Sequence, residues 1–87
     1  MKPSIGRTII VVAPQASSNG SDRAPGVITR VWNDHDTRNE PAMVNATVFP
    51  DLSIPQTVGS ITLYDSEEQA AELGEPGRPF AFWPARV

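Results

Sequence analysis

The chain has 87 residues, no cysteine, and a formal net charge of −3 from ten acidic and seven basic side chains. That length supports one domain whose folded form hides only about 60–65% of the unfolded surface, so its core is thin. Lack of cysteine excludes disulfides and thiolate metal sites, and it agrees with a reducing compartment. The acidic balance argues against nucleic-acid binding, which depends on neutralising phosphates, and the basic residues are scattered rather than clustered.

The elements follow in chain order. "MKPSIGRTIIVVAP" holds an apolar run after two cations. It is too short to span a bilayer and lacks the long apolar stretch and cleavage site of a signal peptide, so a buried first strand, Arg7 to Val12, is expected. The connection from Pro14 to Gly26, "PQASSNGSDRAPG", is polar, and its Asn19-Gly20 pair tolerates positive φ. A second strand is expected over Val27 to Trp32, then a loop from Asn33 to Ala42 and a third strand over Met43 to Phe49. The stretch from Pro50 to Gly59 leads to a fourth strand, Ser60 to Asp65.

"DSEEQAAELGEPGR" predicts a helix of about two turns. Ser66 is the expected N-cap, Gln69 completes a capping box, and Glu67 and Glu68 sit at the positive end of the helix dipole. Gly74 is the expected stop, and Ala70 and Leu73 are expected to rest on the sheet. A fifth strand, Pro79 to Trp83, closes the list.

Five short strands with one helical turn before the last predict an all-β fold, a small five-stranded barrel or a sandwich, comprising residues 1–87 as one domain. Period-2 alternation assigns Val27, Thr29, Val31, Val44, Ala46, Val48, Ile61, Leu63, Phe80 and Phe82 to the interior. The opposite faces receive Ile28, Arg30, Trp32, Asn45, Thr47, Phe49, Thr62, Tyr64, Ala81 and Trp83.

The motifs "PGVITRVW", "VNATVFPD", "SITLYDS" and "FAFWPAR", in that order, resemble those of a group of small tailed-bacteriophage proteins. The resemblance covers about Ile5 to Arg86 and carries no catalytic motif. It implies a Src-homology-3-like barrel, a phage origin, and a setting in the host cytoplasm or the virion. Relatives of this kind often carry a short glycine-rich turn after "FPD", where this chain reads "LSIPQTVG".

Chemical motifs are sparse. Asp34, His35 and Asp36 could offer oxygen and imidazole ligands, but adjacent loop residues seldom converge on one ion, and an Asx-turn accounts for them. Ser, His and Asp are present without a G-x-S-x-G elbow. Gly74 and Gly77 bracket Glu75-Pro76 as a turn, not a phosphate cradle. "NAT" at Asn45 to Thr47 matches a glycosylation acceptor but falls in mid-strand. No enzymatic activity, catalytic residue, metal or cofactor is expected.

The aromatic residues are more informative. Trp32, Phe49, Tyr64 and Trp83 share the face opposite the assigned core and stand near strand ends. Either they close the barrel's open end as core, or they form a protein-docking patch with Arg30 and Asn45 as its polar rim. The expected function is a non-enzymatic, phage-encoded module that binds a host or phage protein. A structural capsid or tail accessory is the alternative, and single-stranded nucleic-acid binding through stacked aromatics ranks third. Self-association through a strand edge stays open. No membrane partner is expected.

Overall fold

The computed structural model describes residues 3–32, 42–74 and 77–84. Runs rich in Val, Ile, Thr and Phe favour extended backbone because branched and aromatic side chains fit a pleated surface. They form β1 (Thr8–Val12), β2 (Arg23–Val31), β3 (Ala42–Val48), β4 (Gln56–Tyr64) and β5 (Phe80–Phe82). A 3-10 turn at Pro14–Ala16 follows β1, and α1 (Glu67–Leu73) precedes β5. The strands close in the order β1-β2-β3-β4-β5, so the all-β barrel expectation holds.

The first four strands form an antiparallel meander. Strand β5 runs parallel to β4 and antiparallel to β1, and thereby closes the ring. A parallel step needs a crossover connection, which α1 supplies. Strands β2 and β4 each begin four residues earlier than their apolar runs suggest, at Arg23 and Gln56. The "RAPG" stretch reads as a turn, yet it is extended. At its end, a Cβ added to Gly26 would lie 3.1 Å from Thr47 O, Val11 Cγ2 and Val48 Cγ1, so only glycine fits there without displacing neighbours.

The barrel interior holds Ile9, Val11, Ile28, Val44, Ala46, Val48, Val58, Ile61, Leu63, Ala81 and Trp83. Each fully enclosed Val or Ile contributes about 1.5–3 kcal/mol of burial free energy. Strand β3 and the end of β4 follow the expected alternation. Strand β2 does not. Ile28 is fully buried, Val27 is half-buried and Thr29 is exposed, because the register slips between Ile28 and Arg30. The slip inserts one residue and exchanges the two faces, so Val31 still packs against the core.

Strand β5 also departs from expectation. Ala81 and Trp83 enter the barrel, whereas Phe80 and Phe82 face outward. They are not left to solvent, because α1 lies over that face. Tyr64, Ala70 and Phe82 are buried there, with Ile10, Val12 and Phe80 packed around them. The Tyr64 and Phe80 rings meet edge-to-face with centroids 6.4 Å apart, a favoured aromatic geometry. The domain thus has a narrow barrel core and a second apolar layer outside it.

The helix starts as its sequence indicates. Ser66 Oγ accepts a hydrogen bond from Gln69 N at 3.1 Å. The Gln69 side chain reaches back one residue further than a standard capping box, accepting from Asp65 N at 2.7 Å. Gly74 ends the helix with φ −78, so left-handed freedom is not its role. A Cβ there would sit 2.6 Å from Ala70 O, and that close approach requires glycine. Ala70 is buried, but Leu73 is 60% exposed and does not rest on the sheet.

Asn19 and Gly20 both take positive φ, 52 and 86, in a tight turn between Ser18 and Ser21. Ser18 Oγ donates to Asp51 O and Asn19 Nδ2 to Asp51 Oδ2, which ties this turn to the β3–β4 connection. Arg23 performs a similar task across the barrel. It donates to Glu67 at 2.6 Å and Asp22 at 3.1 Å while lying over the Phe82 ring, so it fastens β2 to α1.

Candidate binding site beside Trp32

The six residues expected to form one patch separate into three groups. Trp32, Arg30 and Asn45 come together. Tyr64 and Trp83 are buried, Tyr64 beneath α1 and Trp83 in the barrel, so neither contributes docking surface. Phe49 is half-exposed but lies at the other end of the β2–β3 ladder: its N–H donates to Pro25 O, while Trp32 N donates to Met43 O. Six β3 positions separate Met43 from Phe49, about 20 Å of strand. The aromatic set is core in part and surface in part. The Asp34-His35-Asp36 segment lies outside the described residues.

Trp32 stands just past the end of β2 with 47% of its surface exposed. Its position is set from two sides. The indole Nε1 donates to Asn45 Oδ1 at 2.7 Å, and the Arg30 guanidinium lies over the ring, 4.0 Å from its centroid. Arg30 and Asn45 are directly paired across β2 and β3, which places both beside the ring. A cation over indole is worth about 0.5–1 kcal/mol at an exposed position.

Asn45 does a second job. Opposite it, β4 carries an extra residue, since Val44 pairs with Ile61 but Ala46 with Val58. Within this irregularity Ser60 takes φ 55, and its N–H donates to the same Asn45 Oδ1 at 2.7 Å. Both partners are pure donors, so the oxygen of the amide must face them. One side-chain oxygen therefore satisfies a backbone group displaced by the irregularity and orients an exposed tryptophan.

The same irregularity borders a groove of about 620 Å³, within the usual range for ligand sites. Its walls include Met43, Ser60, Thr62, Leu73, Arg78 and Phe80. Two of these wall residues are tied to Trp32, Met43 by its backbone and Ser60 through Asn45, although the indole ring is not itself part of the wall. Sequence reading found the tryptophan and its two polar neighbours but missed the groove. Leu73 gave the only available signal, as a large apolar residue next to a helix stop.

Asp22 has its carboxyl held below the ordinary value by a hydrogen bond from Arg23 and by that residue's charge. Arg23 is raised in return, chiefly by Glu67 and then by Asp22. These shifts belong to the β2–α1 tie and not to the groove. Among the described residues, no three His, Cys, Asp or Glu side chains converge on a common metal position. No helix of the described residues is long and apolar enough to cross a membrane. No family model, no curated protein and no solved structure matches the chain.

Proposed function

We propose that this chain is a non-enzymatic binding module that engages another protein through Trp32 and the groove beside it. The observation that carries this reading is the fixed, half-exposed indole: Asn45 holds its N–H and Arg30 covers one face. Exposed tryptophan and arginine are the residues most often found where binding energy concentrates. Holding them in place before contact removes part of the ordering cost of association. The likeness of "VNATVFPD" and "FAFWPAR" to phage sequences supports a host or phage protein as the partner, met in the host cytoplasm or the virion.

The test is capture of partner protein by the wild type and by Trp32→Ala, with melting temperatures measured on the same samples. Because Trp32 is half outside, the variant should stay folded while capture drops at least tenfold. Binding that persists in a folded variant refutes the reading. So does binding whose loss only follows unfolding. Trp83→Ala, by contrast, removes a buried ring and should unfold the barrel outright.

A further inference from the structure

Of the chain's four asparagines, only Asn19 is followed by glycine; Asn33, Asn39 and Asn45 precede Asp34, Glu40 and Ala46. Glycine has no Cβ to keep its amide nitrogen away from the preceding side-chain carbonyl, so Asn-Gly is the pair most open to ring closure. The fold leaves that path clear. Asn19 and Gly20 are exposed at the tip of the Ser18–Ser21 turn, and a Cβ built on Gly20 would meet nothing within 4 Å. The hydrogen bonds across the turn belong to Ser18 and Ser21. Among the described residues, the Gly20 N–H donates to no backbone carbonyl.

The same asparagine amide holds two loops together. Asn19 Nδ2 donates to Asp51 Oδ2 at 2.9 Å, and Ser18 Oγ donates to Asp51 O at 2.7 Å. The segment they hold is strained. Ser53 N donates to Pro50 O at 3.3 Å, and Leu52, third in that turn, has φ 54, a place that favours glycine. Leucine keeps left-handed backbone only where its surroundings impose it. Its side chain is 88% exposed and gains little packing in return, so the contacts to Asp51 are the restraint at hand.

We propose that Asn19 is a self-modifying site whose conversion to an acid releases the β3–β4 connection. The Gly20 nitrogen attacks Asn19 Cγ, so that an N–Cγ bond forms and the Cγ–Nδ2 bond breaks. The proton from Gly20 N passes through solvent to Nδ2, which leaves as ammonia, and a succinimide ring remains. Water then adds to one of the ring carbonyls. Opening at Cγ gives aspartate, and opening at the backbone carbonyl gives isoaspartate, with the side-chain carbons now in the main chain. Nothing is oxidised or reduced, and water is the only co-reactant.

Either product removes the donor to Asp51 and puts a carboxylate in its place. Like charges then face each other where a hydrogen bond stood. With that contact turned to repulsion, Leu52 returns to ordinary backbone, and the exposed Phe49, Leu52 and Ile54 ride on a loosened loop. The step does not reverse, so the loop records the age of the molecule. This site lies near Phe49, away from Trp32, and stands apart from the binding reading.

The experiment holds the full chain in mildly alkaline buffer well below its melting temperature. Peptides are mapped by mass spectrometry over time, and isoaspartate is quantified by enzymatic methylation. Conversion at Asn19 should run at least tenfold faster than at Asn33, Asn39 or Asn45. The effect of the product is read on Asn19→Asp, alone and combined with Asp51→Asn. Asn19→Asp should lower the melting temperature by a few degrees and shift the amides of Ser18 to Ser21 and of Asp51 to Ser53. The double variant should recover both, because the amide at position 51 donates to the carboxylate at position 19. Asn19 converting no faster than the other asparagines overturns the proposal. So does an Asn19→Asp variant whose Leu52 amide is unmoved, or one that Asp51→Asn fails to rescue.

Discussion

Replacing Asn45 by alanine deletes one oxygen that serves two donors, Trp32 Nε1 and Ser60 N, each at 2.7 Å. A hydrogen bond of this kind contributes about 0.5–1.5 kcal/mol net, so the pair accounts for about 1–3 kcal/mol. Both donors are near solvent and water can replace the lost acceptor, which favours the lower half of that range. For a domain of this size each kcal/mol moves the melting temperature by about 4–8 °C, so a fall of roughly 5–15 °C is expected for Asn45→Ala. Asn45→Asp keeps the acceptor and places a negative charge opposite Arg30, so it should lie within about 0.5 kcal/mol of wild type at neutral pH. Two donors facing the new carboxylate depress its folded pKa. The stability it provides is therefore present above the unfolded value, about 3.9, and disappears as pH falls through the folded value. The assay pairs thermal denaturation with the ¹H–¹⁵N indole signals of the two tryptophans. The Trp32 signal should move in Asn45→Ala while that of buried Trp83 stays put. An unmoved Trp32 signal and an unchanged melting temperature in Asn45→Ala would refute the dual-acceptor geometry.

Three further outcomes follow from the packing and the β2–α1 tie. Ile28→Ala removes three fully buried carbons and should cost about 3–4 kcal/mol in denaturant unfolding, whereas Val27→Ala, half-buried, should cost under about 1 kcal/mol. The reverse order would show that β2 has no register slip. Ser66→Ala takes away the acceptor for Gln69 N and should lower stability by about 1 kcal/mol without changing the barrel's near-ultraviolet dichroism. An unchanged melting point would mean the cap contributes nothing. Asp22→Asn should be less stable than wild type near neutral pH, and the gap should close as pH falls through the depressed folded value. A gap that widens in acid contradicts the Arg23 contact.

Alternation located β3 and the later half of β4 correctly because most of their apolar residues, Val44, Ala46, Val48, Ile61 and Leu63, alternate in one phase within each strand. Strand β2 carries apolar residues in both phases, Val27 and Ile28 and then Val31 and Trp32. Nothing local indicates where an inserted residue exchanges them, since the slip is settled by pairing with β3. Strand β5 misled for a different reason. Its bulkiest side chains look like core, yet a barrel this narrow admits Ala81 and Trp83, while Phe80 and Phe82 are covered by α1. That helix was visible in its capping residues, but the surface it covers depends on the crossover path. Tyr64 left the expected patch for this second apolar layer, and Trp83 left it for the barrel core. Trp32, Arg30 and Asn45 remained together because adjacent strands placed them side by side. The groove depends on where β5 stops pairing, which only the assembled sheet reveals.

The barrel is closed by a very short clasp. Strand β5 holds three residues on β4 and three on β1, whereas β2, β3 and β4 are joined along most of their lengths. Mechanical and thermal fluctuations will concentrate at this fastening. Because Phe82 is packed with Ala70 and Tyr64, β5 cannot lift away without carrying α1 with it. Unclasping would leave a curled four-stranded meander with two bare margins, an early opened form from which amide exchange and proteolysis would begin.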